Sequence, residues 1–209
     1  MFIQLMHPDS PGLEAVSDYF ALGPFRSAEI IPSGATGACY WNCDAYVESY
    51  GGKVMYGWQC RVWPGLFIEM LHHAVVELSD GRLVDPTDPG VPNNGLTAIV
   101  LDQTIVPPRD YPIYVPNKYC AVPGVSEEQQ RACQAMVNIS GRQLRVRRQI
   151  AEIAKGLGLS FPIGEHVALP PTEVVMRLSQ EHQAAAEAYD QAVEECRRVT
   201  PAEFRRPGD

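Results

Sequence analysis

The chain has no apolar run approaching the ~18 residues that a membrane-spanning helix needs, so a membrane partner is not expected. It has no basic excess either. Lysine and arginine total 17 against 25 acidic residues, and the net charge of -8 gives no support to nucleic acid or an acidic lipid surface as partner. The one local exception, four arginines between Arg142 and Arg148, reads as a solvated helix face. A disulfide framework and a paired-cysteine metal motif are both missing. The six cysteines, at 39, 43, 60, 120, 133 and 196, are scattered along the chain. The first twenty residues are interrupted by Pro8, Asp9, Pro11 and Glu14 and hold no signal-peptide core. The expectation is a protein with free thiols in a reducing compartment, cytoplasmic by default, although export without a cleavable signal would leave the same sequence.

What is present is an ordinary globular composition, 45% hydrophobic and 20% charged, over 209 residues. That length buries a real core and favours one domain with an appendage. Gly12 to Phe20 suggests a short helix, and Ala28 to Ile31 a short strand ahead of a Pro32-Ser33-Gly34 loop. Small residues from Ala35 to Ala38 then let the chain pass close to other groups. From Cys39 to Tyr50 an apolar stripe (Tyr40, Cys43, Tyr46, Val47, Tyr50) predicts a helix, which Gly51-Gly52 stops. Lys53 to Trp63 alternates as a strand. Leu66 to Leu71 leads into a second strand, and His73 to Leu78 and Arg82 to Val84 flank Ser79-Asp80-Gly81 as a hairpin. Pro86, Pro89, Pro92 and two asparagines mark a loop, and Ala98 to Leu101 a further strand. Pro107 to Pro123, rich in proline and tyrosine, reads as an irregular wrap.

Beyond Gly124 the pattern becomes helical. Ser126-Glu127-Glu128-Gln129 is a capping box, and from it Ala132, Met136, Ile139, Gln143, Val146, Ile150, Ile153 and Leu157 step by fours and threes. Pro171-Thr172 opens a second helix, with Val175, Leu178, His182, Ala185, Tyr189, Ala192 and Cys196 on its seam. With a loop containing Pro162 between them, these form a helical hairpin. The expected division is a catalytic domain at 1–123 and the hairpin at 124–209, an α+β chain overall.

Chemistry concentrates between Gly37 and Asp88. Cys39 falls in the first turn of its helix, where unpaired backbone N–H groups and the positive dipole end favour a thiolate. His73 follows on a strand and Asp85 on the strand that returns beside it. A cysteine nucleophile, a histidine that takes and returns its proton, and a carboxylate that fixes the imidazole are the parts of a thiol-enzyme triad. With the turn centred near Asp80-Gly81, His73 faces Thr87, and Asp85 lies one same-face step away, within reach of the imidazole. His72 points to the opposite face of its strand and competes with His73 for the role.

The run Gly-x-Cys at a helix start, Gly-Gly, Tyr-Gly-Trp, then His73-Ala74-Val75-Val76-Glu77 and Asp85-Pro86-Thr87 resembles the core of the transglutaminase-like superfamily, within the papain-like thiol enzymes. The resemblance covers Gly37 to Asp88. It implies Cys39 as nucleophile, His73 as base and Asp85 as orienting carboxylate, in a papain-like core whose catalytic helix packs on an antiparallel sheet. Many members carry tryptophan where Val75 stands, and the helical hairpin has no counterpart in that core.

An oxyanion formed at Cys39 would have the Cys39 amide as its first donor, with the Trp58 indole and Gln59 as candidates for a second. They qualify only if their strand faces the helix start, and the preferred reading of both is as ordinary strand residues. Cys39, Cys43 and a histidine would still need a fourth ligand to hold zinc, so neither metal nor organic cofactor is expected. The leading expectation is a cysteine-dependent acyl-transfer enzyme working through a thioester and hydrolysing or deamidating a peptide, protein or small amide. A calcium-loop pattern is lacking and the chain is small, so protein cross-linking is disfavoured. An acyl-CoA-dependent amine acetyltransferase is the nearest enzymatic rival. The alternatives of another class are a non-catalytic binding module that retains the fold and an interaction protein that meets a partner through its C-terminal helices.

Overall fold

The computed structural model describes residues 3–91, 93–107, 115–159 and 169–205, which fall into two units. The first takes Ile3–Trp63 and Ile68–Pro107. The second takes Pro64–Phe67 and, among the described residues, 115–159 and 169–205. The second therefore starts earlier than the helical pattern does. Its non-helical part is held together by the Val122 amide donating to the Leu66 carbonyl at 2.9 Å and by Phe67 edge-on to Tyr119.

In the first unit the elements run β1 (Gln4–Leu5), α1 (Leu13–Phe20), β2 (Phe25–Gly34), α2 (Cys39–Tyr50), β3 (Lys53–Trp63), β4 (Phe67–Glu77), β5 (Leu83–Thr87) and β6 (Leu96–Leu101). Strands β3, β6, β2, β5 and β4 are neighbours in that order, and a β3–β4 pairing closes them into a five-stranded barrel. The two-residue β1 runs antiparallel to β3. The sheet is mixed rather than purely antiparallel, because β2 pairs in parallel with β5 while running antiparallel to β6.

Each barrel strand gives a residue to one apolar cluster. Ala28, Val75, Leu83 and Ile99 are fully or almost fully buried, with Met55 packed against them. Burying a side chain of the Val, Leu or Ile type contributes about 1.5–3 kcal/mol, and Val75, Leu83 and Ile99 each contribute on that scale. The other face of β3 and β4 carries α2: Cys43 packs on Ala74 and Val76, flanked by Tyr46, Val47 and Val54. Period-2 alternation thus separates an inner row of odd-numbered β3 and β4 residues from an outer, even-numbered row.

The β4–β5 hairpin has the register its Asp80-Gly81 turn dictates, with Val76 opposite Val84 and Glu77 opposite Leu83. Strand β2 runs on through Pro32-Ser33-Gly34, where the sequence suggested a loop. The β2–β5 register shifts between Ile30 and Gly34, and an irregular stretch tolerates a proline that cannot donate to the ladder.

In the second unit β7 (Lys118–Ala121) precedes α3 (Glu127–Gly156) and α4 (Glu173–Val199). The capping box forms as read: Gln129 N donates to Ser126 Oγ, and Ser126 N to Gln129 Oε1 at 2.8 Å. Thr172 caps α4 by accepting from Val175 N. The inter-helix stretch around Pro162 lies outside the described residues, as does 108–114 of the proline- and tyrosine-rich segment. Among the described residues no helix is long and apolar enough to cross a membrane.

Candidate active site

The site begins with the way α2 is entered. Its N-cap is Ala38, whose side chain cannot cap, so the loop from Ala35 to Ala38 is fastened from inside the helix instead. Asn42 Nδ2 donates to the Ala35 carbonyl at 2.8 Å and to Thr87 Oγ1 at 3.2 Å. One amide thereby ties the approach loop, the first turn of α2 and the end of β5 together. Gly34 is required for this, since a Cβ there would lie 2.1 Å from Asn42 Oδ1.

Asp85 is 1% exposed and its carboxylate is fully used. Oδ2 accepts from His73 Nε2 at 2.7 Å and from Gln59 Nε2 at 3.3 Å, and Oδ1 accepts from the Thr87 amide at 3.0 Å. Pro86, between Asp85 and Thr87, has no N–H of its own, so the carboxylate closes an Asx-type turn onto the next amide. His73 lies on the row of Val75, and Asp85 on the row of Leu83, inside the barrel. Gln59 belongs to the corresponding row of β3.

With Nε2 donating to Asp85, Nδ1 is the ring nitrogen left for Cys39, whose side chain lies within hydrogen-bonding range of His73. Burial pulls the His73 pKa down. The charges of Asp85 and Cys39, and the hydrogen bonds to both, outweigh it and leave the group raised from 6.5 to about 10. The imidazole is therefore held as a cation beside Cys39 at neutral pH. Cys39 itself is half-buried.

Comparison of the chain with protein-family models, curated proteins and solved structures finds no match. What can be said of the site therefore rests on its own geometry.

Three of the residues expected from the sequence, Cys39, His73 and Asp85, come together. Gln59 joins them through an amide N–H that it donates to Asp85. Trp58 does not join. Its indole N–H donates to Asp102 Oδ2 at 2.9 Å, on the outer face of the barrel, and its ring meets His72 edge-on. The single indole N–H of Trp58 is thus committed to Asp102, and Gln59 commits an N–H to the buried Asp85 carboxylate.

His72 is settled by the same alternation. It points to the outer face, hydrogen-bonds the Tyr40 hydroxyl through Nδ1 at 2.7 Å and stacks near Tyr56. Cys43 sits with the outer-face cluster beside Ala74 and Val76, away from the row that carries His73. Asn42 was not foreseen. An asparagine in the first turn of a helix whose N-cap is an alanine was the available signal, since its side chain readily bonds nearby backbone.

Proposed function

We propose that this protein is a cysteine-dependent acyl-transfer enzyme that hydrolyses or deamidates a peptide or other amide, and that its core is transglutaminase-like. The observation that carries the reading is a buried His73 held between Asp85 and Cys39. Three types of side chain in these roles make a competent thiol site.

Cys39, reacting as the thiolate paired with the His73 cation, attacks the substrate carbonyl carbon, and the carbonyl π pair moves onto oxygen. The Cys39 backbone N–H, at the start of α2, stabilises that oxyanion. As the tetrahedral species collapses, the C–N bond breaks and the departing nitrogen takes the proton held by His73, leaving a thioester. Ammonia departs from a glutamine-type amide and an amine from a peptide bond. Water then attacks the thioester, passing a proton to His73 while Asp85 stabilises the cation. The C–S bond breaks, the carboxylic acid leaves and the thiolate is restored. An amine in place of water gives acyl transfer through the same groups.

The test is acylation of the full chain by p-nitrophenyl acetate, followed by peptide mass spectrometry. The expected result is an acetyl group on Cys39, removable by hydroxylamine, with His73→Ala slowing its formation by roughly 10²–10⁴-fold. Acetylation confined to lysines, or an equal rate on Cys39 without His73, would contradict the proposal. Glutamine peptides then separate ammonia release from chain cleavage.

A further inference from the structure

Two thiols that take no part in this chemistry face each other across the helical hairpin. Gln129 Nε2 donates to the Val199 carbonyl at 3.0 Å, and Arg147 Nε to His182 Nε2 at 3.0 Å, which fixes the antiparallel register of α3 against α4. Arg198 strengthens the first anchor by donating to Glu128 Oε1 at 2.6 Å. Cys133 lies one turn after Gln129, and Cys196 about one turn before Val199, so the register sets them level. Both are buried, at 7% and 0% exposure, and their side chains are within hydrogen-bonding range of each other.

The neighbourhood suits a covalent link. A disulfide needs Cα atoms about 4.4–6.8 Å apart, closer than most helix pairs run. Small residues let the backbones approach, and Ala132 and Ala192 are both buried near the two cysteines. The last turn of α4 is tied as well, the Thr200 hydroxyl donating to the Cys196 carbonyl at 2.7 Å.

We propose that Cys133 and Cys196 form a peroxide-responsive dithiol that closes to an intramolecular disulfide and staples the open end of the hairpin. Cys133 is 7% exposed and Cys196 fully buried, so Cys133 is the thiol that the oxidant reaches and Cys196 the one that resolves it. The Cys133 thiolate attacks one oxygen of hydrogen peroxide. The O–O bond breaks, hydroxide leaves, and Cys133 becomes a sulfenic acid. The Cys196 sulfur displaces the sulfenic hydroxyl, losing its own proton, to give the S–S bond and water. Both sulfurs are oxidised and both peroxide oxygens end as water. Peroxide is the oxidant of choice because it is small enough for a sulfur that is only slightly exposed. The proposal stands whether or not Cys39 is catalytic.

The experiment treats the purified full chain with a modest excess of hydrogen peroxide, blocks remaining thiols under denaturation and maps every cysteine without reduction. The expected product is one cross-linked peptide pair joining Cys133 to Cys196, reversed by dithiothreitol. It is accompanied by a rise of roughly 10 °C in the melting midpoint that Cys133→Ser and Cys196→Ser each lose. The inference is overturned if both thiols remain alkylatable, if Cys133 goes on to sulfinic acid while Cys196 stays a thiol, or if either joins a different cysteine.

Discussion

With Asp85 against Nε2, His73 keeps its proton into alkaline pH, and this has a thermodynamic consequence. Its pKa is near 6.5 in the unfolded chain and about 10 in the folded one, so folding takes up a proton between those values. The stability gained is complete below pH 6.5 and is lost as pH rises towards 10. Urea unfolding of wild type and His73→Ala should therefore show a stability difference that shrinks across this window, and a flat difference would refute the ion-pair assignment. Asp85→Ala leaves a buried imidazole without its carboxylate, and we expect a loss of about 3 kcal/mol in unfolding free energy. Gln59→Leu removes one donor from the carboxylate and should cost about 1–2 kcal/mol while lowering Cys39 reactivity. Residue types and spacing made Cys39, His73 and Asp85 legible in the sequence, because a tight turn fixes cross-strand register locally. The hydrogen bonds of Gln59 to Asp85 and of Trp58 to Asp102 were not legible. They depend on which way β3 faces, and that is decided by pairing with β6, some forty residues away.

At the scale of elements, α2 and its entry loop are positioned by one side chain. Asn42→Ala should release the Ala35–Ala38 loop and slow Cys39 alkylation several-fold, with only about 1 kcal/mol lost in stability. Gly34→Ala should reach the same end by a different route, since its Cβ displaces the Asn42 amide. Gly57 provides the contrast. A Cβ there would lie 2.1 Å from the Val100 carbonyl, and backbone cannot swing aside as an amide can. Gly57→Ala should thus destabilise by about 2 kcal/mol or more, read as a lower urea midpoint. The helix from Cys39 to Tyr50 and the strand from Lys53 to Trp63 were readable to the residue, because a stripe or an alternation is local and Gly51-Gly52 punctuates them. Strand β2 was readable only in part. Its second half holds a register irregularity and a proline, which look like a loop until β5 is beside them.

Across the whole molecule, the contacts that join Asn42, Gln59, His73 and Asp85 all lie within the first unit. Leu178→Ala, in the buried seam of α4, should lower the stability of the second unit by about 2–5 kcal/mol and leave Cys39 alkylation unchanged. The starts and seams of the long helices were legible, since capping and a three-four repeat are local signals. The barrel was not. Its closure requires β3 to meet β4 and β2 to lie parallel to β5, and no periodicity within a strand encodes which strand is its neighbour. The central claim is that His73, held by Asp85, activates Cys39. Its most direct test is iodoacetamide alkylation against pH, resolved cysteine by cysteine by mass spectrometry, in wild type and His73→Ala. We predict that in wild type Cys39 reacts fastest of the six below pH 7 and loses that advantage in the variant. Cys39 reacting no faster than Cys43 or Cys60, with no change on removing His73, would contradict it.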